Sequence, residues 1–107
     1  MIDNETFHQL AATEKEQRRH VRRRVLWVGK VDTEDGSFDC IVLDVSRSGA
    51  KLRFAEPIPP QTTVNLAFGA FGALDGEVIW QRGEKMGIRF NIEPEQVANI
   101  IGPALGI

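Results

Sequence analysis

Phe38-Asp39-Cys40-Ile41-Val42-Leu43-Asp44-Val45-Ser46-Arg47-Ser48-Gly49-Ala50-Lys51-Leu52-Arg53-Phe54 is the run on which the fold turns. From Phe38 to Val45 it is rich in β-branched residues, which reads as a strand. Ser46-Arg47-Ser48-Gly49 breaks that strand with turn residues. Beyond the break, Leu52 and Phe54 alternate with Lys51 and Arg53, so one face of the next strand points inward and the other outward.

Outward from this run the same grammar repeats. Val25-Leu26-Trp27-Val28 opens an earlier strand, and Asp32 to Gly36 supplies a turn. Pro57-Ile58-Pro59-Pro60 ends the strand that holds Leu52, because proline cannot continue a ladder. Thr63 to Phe68 follows with Val64, Leu66 and Phe68 on one face, and Gly76 to Trp80 and Met86 to Phe90 complete a set of about six strands. No connection is long enough for a crossover helix, so antiparallel pairing throughout is the economical assignment. Six short twisted strands most simply close into a barrel, which removes their edges. A helix then ends the chain: Pro94 fits its first turn, Glu95 suits the positive end of its dipole, and Gly102-Pro103 stops it. Val97, Ile100, Ile101 and Leu105 form an apolar stripe suited to an open barrel end or a partner surface. The expected fold is therefore all-β, a six-stranded antiparallel barrel with a C-terminal helix and a flexible basic N-terminal arm. Residues 1–17 form the arm, where Phe7, Leu10 and Ala11 fall at helical spacing behind Asp3 or Asn4 as cap. Residues 18–107 form the barrel domain, including the arginine-rich segment and the helix.

With 107 residues, 42% of them hydrophobic, the chain suits one domain with a modest core and is too apolar for disorder. It has no apolar run long enough to cross a bilayer, so no membrane insertion is expected. Met1-Ile2-Asp3-Asn4-Glu5 lacks the features of a secretory signal, and the single cysteine, Cys40, suits a reducing interior; the expected compartment is the cytoplasm. His8, His20 and Cys40 share no metal-ligand spacing. Asp44 and Ser46 have no histidine where a general base is needed, and no nucleotide-cofactor loop is present. The expectation is no catalysis, no metal and no cofactor.

Charge is more informative. The net charge is −2, yet seven of the thirteen Lys and Arg fall between Lys15 and Lys30, five of them in Arg18 to Arg24. From Val31 onward six basic residues face eleven acidic ones. That distribution suits a receptor for one small, concentrated anion, or a domain with a basic arm, better than a general polyanion binder. In Gln17-Arg18-Arg19-His20-Val21-Arg22-Arg23-Arg24, the arginine forks match phosphate or the O6/N7 edge of guanine and can stack on flat rings. In Asp44-Val45-Ser46-Arg47-Ser48-Gly49, Asp44 can accept two hydrogen bonds from a guanine edge and Ser46 can serve a phosphate or ring nitrogen. Gly49 permits a positive φ or a close backbone approach. Each segment alone also reads blandly, the first as a solvated arm and the second as a turn.

Taken together, paired arginines followed some twenty residues later by DxSxxG on a small β-barrel resemble the PilZ domain family. Arg18 and Arg22 match its RxxxR motif, with Arg19 completing an RRxxR string, and Asp44, Ser46 and Gly49 match its (D/N)xSxxG motif. The resemblance continues through Ala50 to Phe54, Gly76 to Trp80 and Met86 to Phe90, covering roughly residues 17 to 101. It implies a six-stranded barrel with a following helix, and binding of the bacterial second messenger cyclic di-GMP. The ligand contacts it implies are Arg18 and Arg22 on guanine and phosphate, Arg19 and Arg23 as auxiliary charge or stacking partners, Asp44 and Ser46 on guanine and nearby polar atoms, and Gly49 leaving room. Arg47 sits at the rim. The register Arg19 and Arg23 also fits, although the position of Val25 favours Arg18 and Arg22. Trp27 and Trp80 read as core or barrel-wall residues rather than stacking platforms.

The implied partners are cyclic di-GMP and a downstream effector protein that the ordered arm would engage. Two rivals stand beside this: a nucleotide-blind PilZ-like adaptor acting through protein contact, and a small nucleic-acid-binding barrel. The acidic remainder of the chain and its lack of tyrosine weigh against the second.

Overall fold

The chain runs through β1 (Arg23–Thr33), β2 (Gly36–Val45), β3 (Gly49–Arg53), β4 (Thr63–Ala67), β5 (Ala73–Arg82), β6 (Lys85–Phe90) and a helix, α1 (Pro94–Leu105). The computed structural model describes residues 22–68 and 72–105. Residues 1–17, expected to form the arm, and Arg18 and Arg19 lie outside the described residues.

The strands close into a barrel in the order β1-β2-β3-β6-β5-β4, every neighbouring pair antiparallel, with β4 returning to β1. The segment between Arg53 and Thr63 carries the chain from β3 across one end of the barrel to β4, leaving the place beside β3 for β6. Gln81 pins that segment: its amide carbonyl accepts the Ile58 N–H (2.9 Å) and its amide nitrogen donates to the Glu56 carbonyl (2.8 Å). β1 is longer than its apolar run suggests. It begins at Arg23 because the ladder with β2 extends from Arg23 opposite Val45 to Thr33 opposite Gly36. Arg23 and Arg24 are thus strand residues.

The core is filled from every strand. Val31, Val42, Leu52, Leu66, Val78 and Ile88 are wholly buried, and Val97 and Ile101 of α1 join the same cluster. The apolar stripe of the helix therefore closes an end of the barrel, with Ile100 at its edge and 37% exposed. That end is the one where β4 passes to β5, since a Cβ added at Gly72 would lie 3.6 Å from Ile100. Phe68 stands edge-on to both Trp27 and Phe90, with ring centroids 5.9 and 6.4 Å apart. The helix does not stop at Gly102-Pro103 but continues to Leu105 with Pro103 inside it. In a last turn, proline removes only one i to i−4 bond, which the chain end tolerates.

Extra residues shift the register at one level of the barrel. β1 has Val25 and Leu26 where β2 has Leu43, β2 has Leu43 with no counterpart on β3, and β5 has Ile79 with none on β6. Such bulges invert the alternation of a strand. Val42 and Val45 are both wholly buried, yet Asp44 stays on the outside; Val78 is wholly buried, yet Trp80 two residues later is 38% exposed. Without the extra residue, Asp44 and Trp80 would point into the core.

Cys40 faces that core from β2 and is 4% exposed. Burial pushes its thiol up from 9.0 to about 11, the Asp39 carboxylate adds to the rise, and Lys30 opposes it. The unfolded chain loses this proton first, so the contribution of Cys40 to stability is full below pH 9.0 and falls as pH rises towards about 11. The expected loss across that window is about 2–3 kcal/mol. Urea denaturation above and below it, in wild type and in Cys40→Ala, should show a pH-dependent component that the variant lacks.

Candidate functional site

The register of the strands sets five residues in one line across the outer wall. Arg24 lies opposite Asp44, Asp44 opposite Lys51, Lys51 opposite Gly87, and Gly87 opposite Trp80. At the head of this row the Arg22 guanidinium grips the carboxylate of Asp44, with Nε at 3.0 Å and Nη2 at 2.5 Å from Oδ1. Lys51 Nζ approaches the other oxygen, Oδ2, at 3.8 Å. The Asp44 side chain keeps 16% of its surface exposed and that of Arg22 31%, so the pair sits half out of water. At the far end the Trp80 indole lies across Gly87, where any Cβ would enter the ring. Trp80 and Lys51 share with Gln81, Arg82 and Lys85 a cleft of about 450 Å³.

The turn above the row is held by its own side chains. The Ser46 N–H donates to the Gly49 carbonyl (2.9 Å), the Ser48 N–H donates to Ser46 Oγ (3.1 Å), and the two hydroxyls meet at 3.1 Å. Ser46 is wholly buried and Ser48 nearly so, while Arg47 between them is half-buried. Gly49 is also buried, and a Cβ there would collide with the Ile88 carbonyl oxygen of β6. Its φ is not positive, so the need for glycine is the close approach of β3 to β6. Beside it, Arg89 lies opposite both Gly49 and Glu77 and donates to the Glu77 carboxylate at 2.7 Å.

The candidate residues therefore fall into groups. Arg22 and Asp44, twenty-two positions apart in sequence, are brought into contact. Arg23 is exposed opposite Val45, one pair along the ladder from Asp44. Ser46 and Gly49 shape the turn and the strand packing beneath it. Arg18 and Arg19 lie outside the described residues. Lys51 and Trp80 were not among the candidates. Their signals were Gly87, a strand glycine that leaves room for a ring, and the unbroken apolar run Val78-Ile79-Trp80, which violates alternation as a bulge does. Among the described residues no group of three or more His, Cys, Asp or Glu is placed to hold a metal ion. What the row offers is recognition: a guanidinium, a carboxylate acceptor, an ammonium and an indole face.

The family model for the PilZ domain matches residues 16–102. The chain belongs to the PilZ domain family. Among solved structures, the PilZ domain of CeSA from a cellulose-synthesizing bacterium superposes with a TM-score of 0.66 at 18% identity, over 78% of this chain and 98% of that one. YcgR of Escherichia coli, in complex with c-di-GMP, gives 0.63 at 17% identity, over 84% of this chain and 45% of that one. PlzA of Borreliella burgdorferi, also in complex with c-di-GMP, gives 0.59 at 17% identity, over 86% of this chain and 43% of that one. This chain thus spans less than half of YcgR and of PlzA. No curated protein matches the sequence significantly.

Within this PilZ domain the contact of Gly49 with β6 has a direct consequence. Gly49→Ala forces β3 away from the Ile88 carbonyl and is expected to destabilise the fold by about 1–3 kcal/mol, as overpacking does. Urea denaturation monitored by circular dichroism measures it. A midpoint equal to wild type would show that the strand spacing yields freely.

Proposed function

We propose that this PilZ protein is a non-catalytic receptor for cyclic di-GMP that acts in the cytoplasm by changing what its arginine-rich segment contacts. The observation that carries this reading is the ion pair between Arg22 and Asp44, which joins the two sequence motifs at one place on the barrel wall. Family membership supports it, as do YcgR, PlzA and MrkH of K. pneumonia, whose structures are complexes with c-di-GMP.

The chemistry of each group suits the ligand. A guanine edge carrying N–H donors is a bidentate partner for Asp44, and in taking it the ligand displaces Arg22 from Oδ1. The freed guanidinium turns to a phosphate or to guanine O6 and N7, exchanging one charge-assisted interaction for another. Arg18, Arg19 and Arg23 add charge against the remaining phosphate oxygens. Trp80 offers a stacking face, its indole lying over Gly87, and Lys51 stands between Asp44 and Gly87 as a phosphate partner. Ser46 acts through the turn that it holds, and Gly49 through the packing that keeps the turn close to the wall.

Binding orders the segment ahead of β1, Arg18 to Arg22, over the barrel and presents it to an effector protein. Fixing the backbone costs about 1–2 kcal/mol per residue. Hydrogen bonds to charged groups, at about 1.5–3 kcal/mol each, offset that when several form together. The free pair is suited to such exchange because both groups keep contact with solvent, at 31% of the Arg22 side chain and 16% of that of Asp44.

Calorimetric titration of cyclic di-GMP at two salt concentrations tests the reading. Saturable binding is expected in wild type, with affinity lowered about ten- to a hundredfold in each of Arg18→Ala, Arg22→Ala and Asp44→Ala, the loss of one charge-assisted bond. No binding by folded wild-type protein would make the domain a protein-contact adaptor. Nucleic-acid binding that falls steeply with salt and ignores Asp44→Ala would make it a nucleic-acid module. The switch has its own measurement: backbone hydrogen exchange across Arg18 to Arg22 should slow on ligand addition. Equal protection with and without ligand would remove the ordering step and leave the binding.

A further inference from the structure

The end of the barrel opposite α1 carries charges that no other described residue neutralises. β1, β3 and β5 finish there, and β2, β4 and β6 begin there. On one side Arg53 lies directly opposite Lys85, and Lys85 directly opposite Arg82, so three exposed cations stand abreast on three adjacent strands. Like charges in directly facing positions destabilise a sheet. On the other side a cleft of about 690 Å³ is floored by Phe38, Ile58 and the flanking prolines and rimmed by Glu34, Asp35 and Glu56. The Glu56 to Ile58 segment, pinned by Gln81, is the ridge between the two sides.

None of these six charged side chains forms an ion pair or a side-chain hydrogen bond with another described residue. Elsewhere on the wall opposite charges do meet, as Lys30 with Asp39, Arg89 with Glu77 and Arg22 with Asp44. The unpaired charges at this end are segregated by sign on either side of one ridge. Glu84, in the turn between Arg82 and Lys85, is also exposed and unpaired, and does not break up the basic row.

We infer that this end is a self-complementary interface at which two copies of the chain meet about a two-fold axis, the basic row of each facing the acidic cleft of the other. A patch that carries both halves of a complementary contact closes on a second copy of itself, and the two-fold operation forms every contact twice. The long stems of Arg53, Arg82 and Lys85 suit a cleft with an apolar floor and a carboxylate rim. Arg22, just ahead of β1, and Asp44 of β2 stand away from the basic row, whereas Arg82 and Lys85 also line the cleft of Lys51 and Trp80, so such a dimer leaves the ion pair open and borders that cleft.

Sedimentation equilibrium of the full chain at low and high salt tests this. A reversible dimer that weakens as salt rises is expected for wild type. The pair Arg82→Glu with Lys85→Glu, and separately Glu34→Lys with Glu56→Lys, should each weaken self-association at least about tenfold, with circular dichroism checking that both variants remain folded. Mixing the two charge-reversed proteins should restore a dimer, because each then offers what the other lacks. A wild-type chain that stays monomeric up to its solubility limit overturns the inference. A dimer unaffected by the reversals, or reversed chains that fail to associate when mixed, overturns it equally.

Discussion

A closed barrel of six strands has an interior filled by side chains, and this one is filled by valine, leucine, isoleucine, methionine and phenylalanine. There is no place inside for a carboxylate or for an indole lacking a hydrogen-bond partner. Any polar apparatus must stand on the outer wall, and strict alternation would have put Asp44 and Trp80 on the wrong side of it. The extra residues Leu43 and Ile79 resolve the conflict, because each inverts the alternation of its strand at one level. The recognition row thus depends on two local defects of the ladder, placed so that β2 and β5 turn their side chains out together. Gly87 completes the arrangement, since only a residue without a side chain lets the indole lie flat across β6.

The ion pair of Arg22 with Asp44 belongs to the same economy of charge. A carboxylate held at 16% exposure between a guanidinium and an ammonium is oriented, yet remains within reach of solvent. Deep burial would make the pair costly to break, because removing either partner strands the other. Full exposure would leave Arg22 to wander. An intermediate position lets the two groups preorganise each other while a ligand with better geometry can still replace one of them. Ser46 supports this from beneath. Its hydroxyl accepts from the Ser48 backbone, so the turn after Asp44 is stiff and β2 delivers the carboxylate to a fixed point.

Much of this was legible in the residues. Alternation in Lys51 to Phe54 and in Val64 to Phe68 marked the inner faces, and each of Leu52, Phe54, Val64, Leu66 and Phe68 is buried. The motif residues Arg22 and Asp44 could be singled out together from residue type and order, and their side chains meet. What was not legible was whatever depends on the ladder. Bulges are a property of two strands in register, so the outward turn of Trp80 is hidden in a sequence that shows only an apolar run. Ser46 and Gly49 were read for what they could offer a ligand, and their parts in the turn and in the β3–β6 packing depend on contacts that the sequence does not display. The helix ran past Gly102-Pro103 because a proline in a final turn loses little.

Lys51 links the two halves of the molecule's electrostatics. It stands within 3.8 Å of Asp44 on one side and lines the cleft with Arg82 and Lys85 on the other. While Asp44 holds its negative charge, part of the field of Lys51 is neutralised locally and the basic row beyond it is the weaker for it. An anion arriving between Lys51 and Trp80 has the opposite effect on the neighbourhood, since it screens Lys51, Arg82 and Lys85 from one another. At separations of a few ångströms to about 10 Å such changes are only partly damped by physiological salt. Lys51 thus belongs both to the surroundings of the Asp44 carboxylate and to the cleft that Arg82 and Lys85 line.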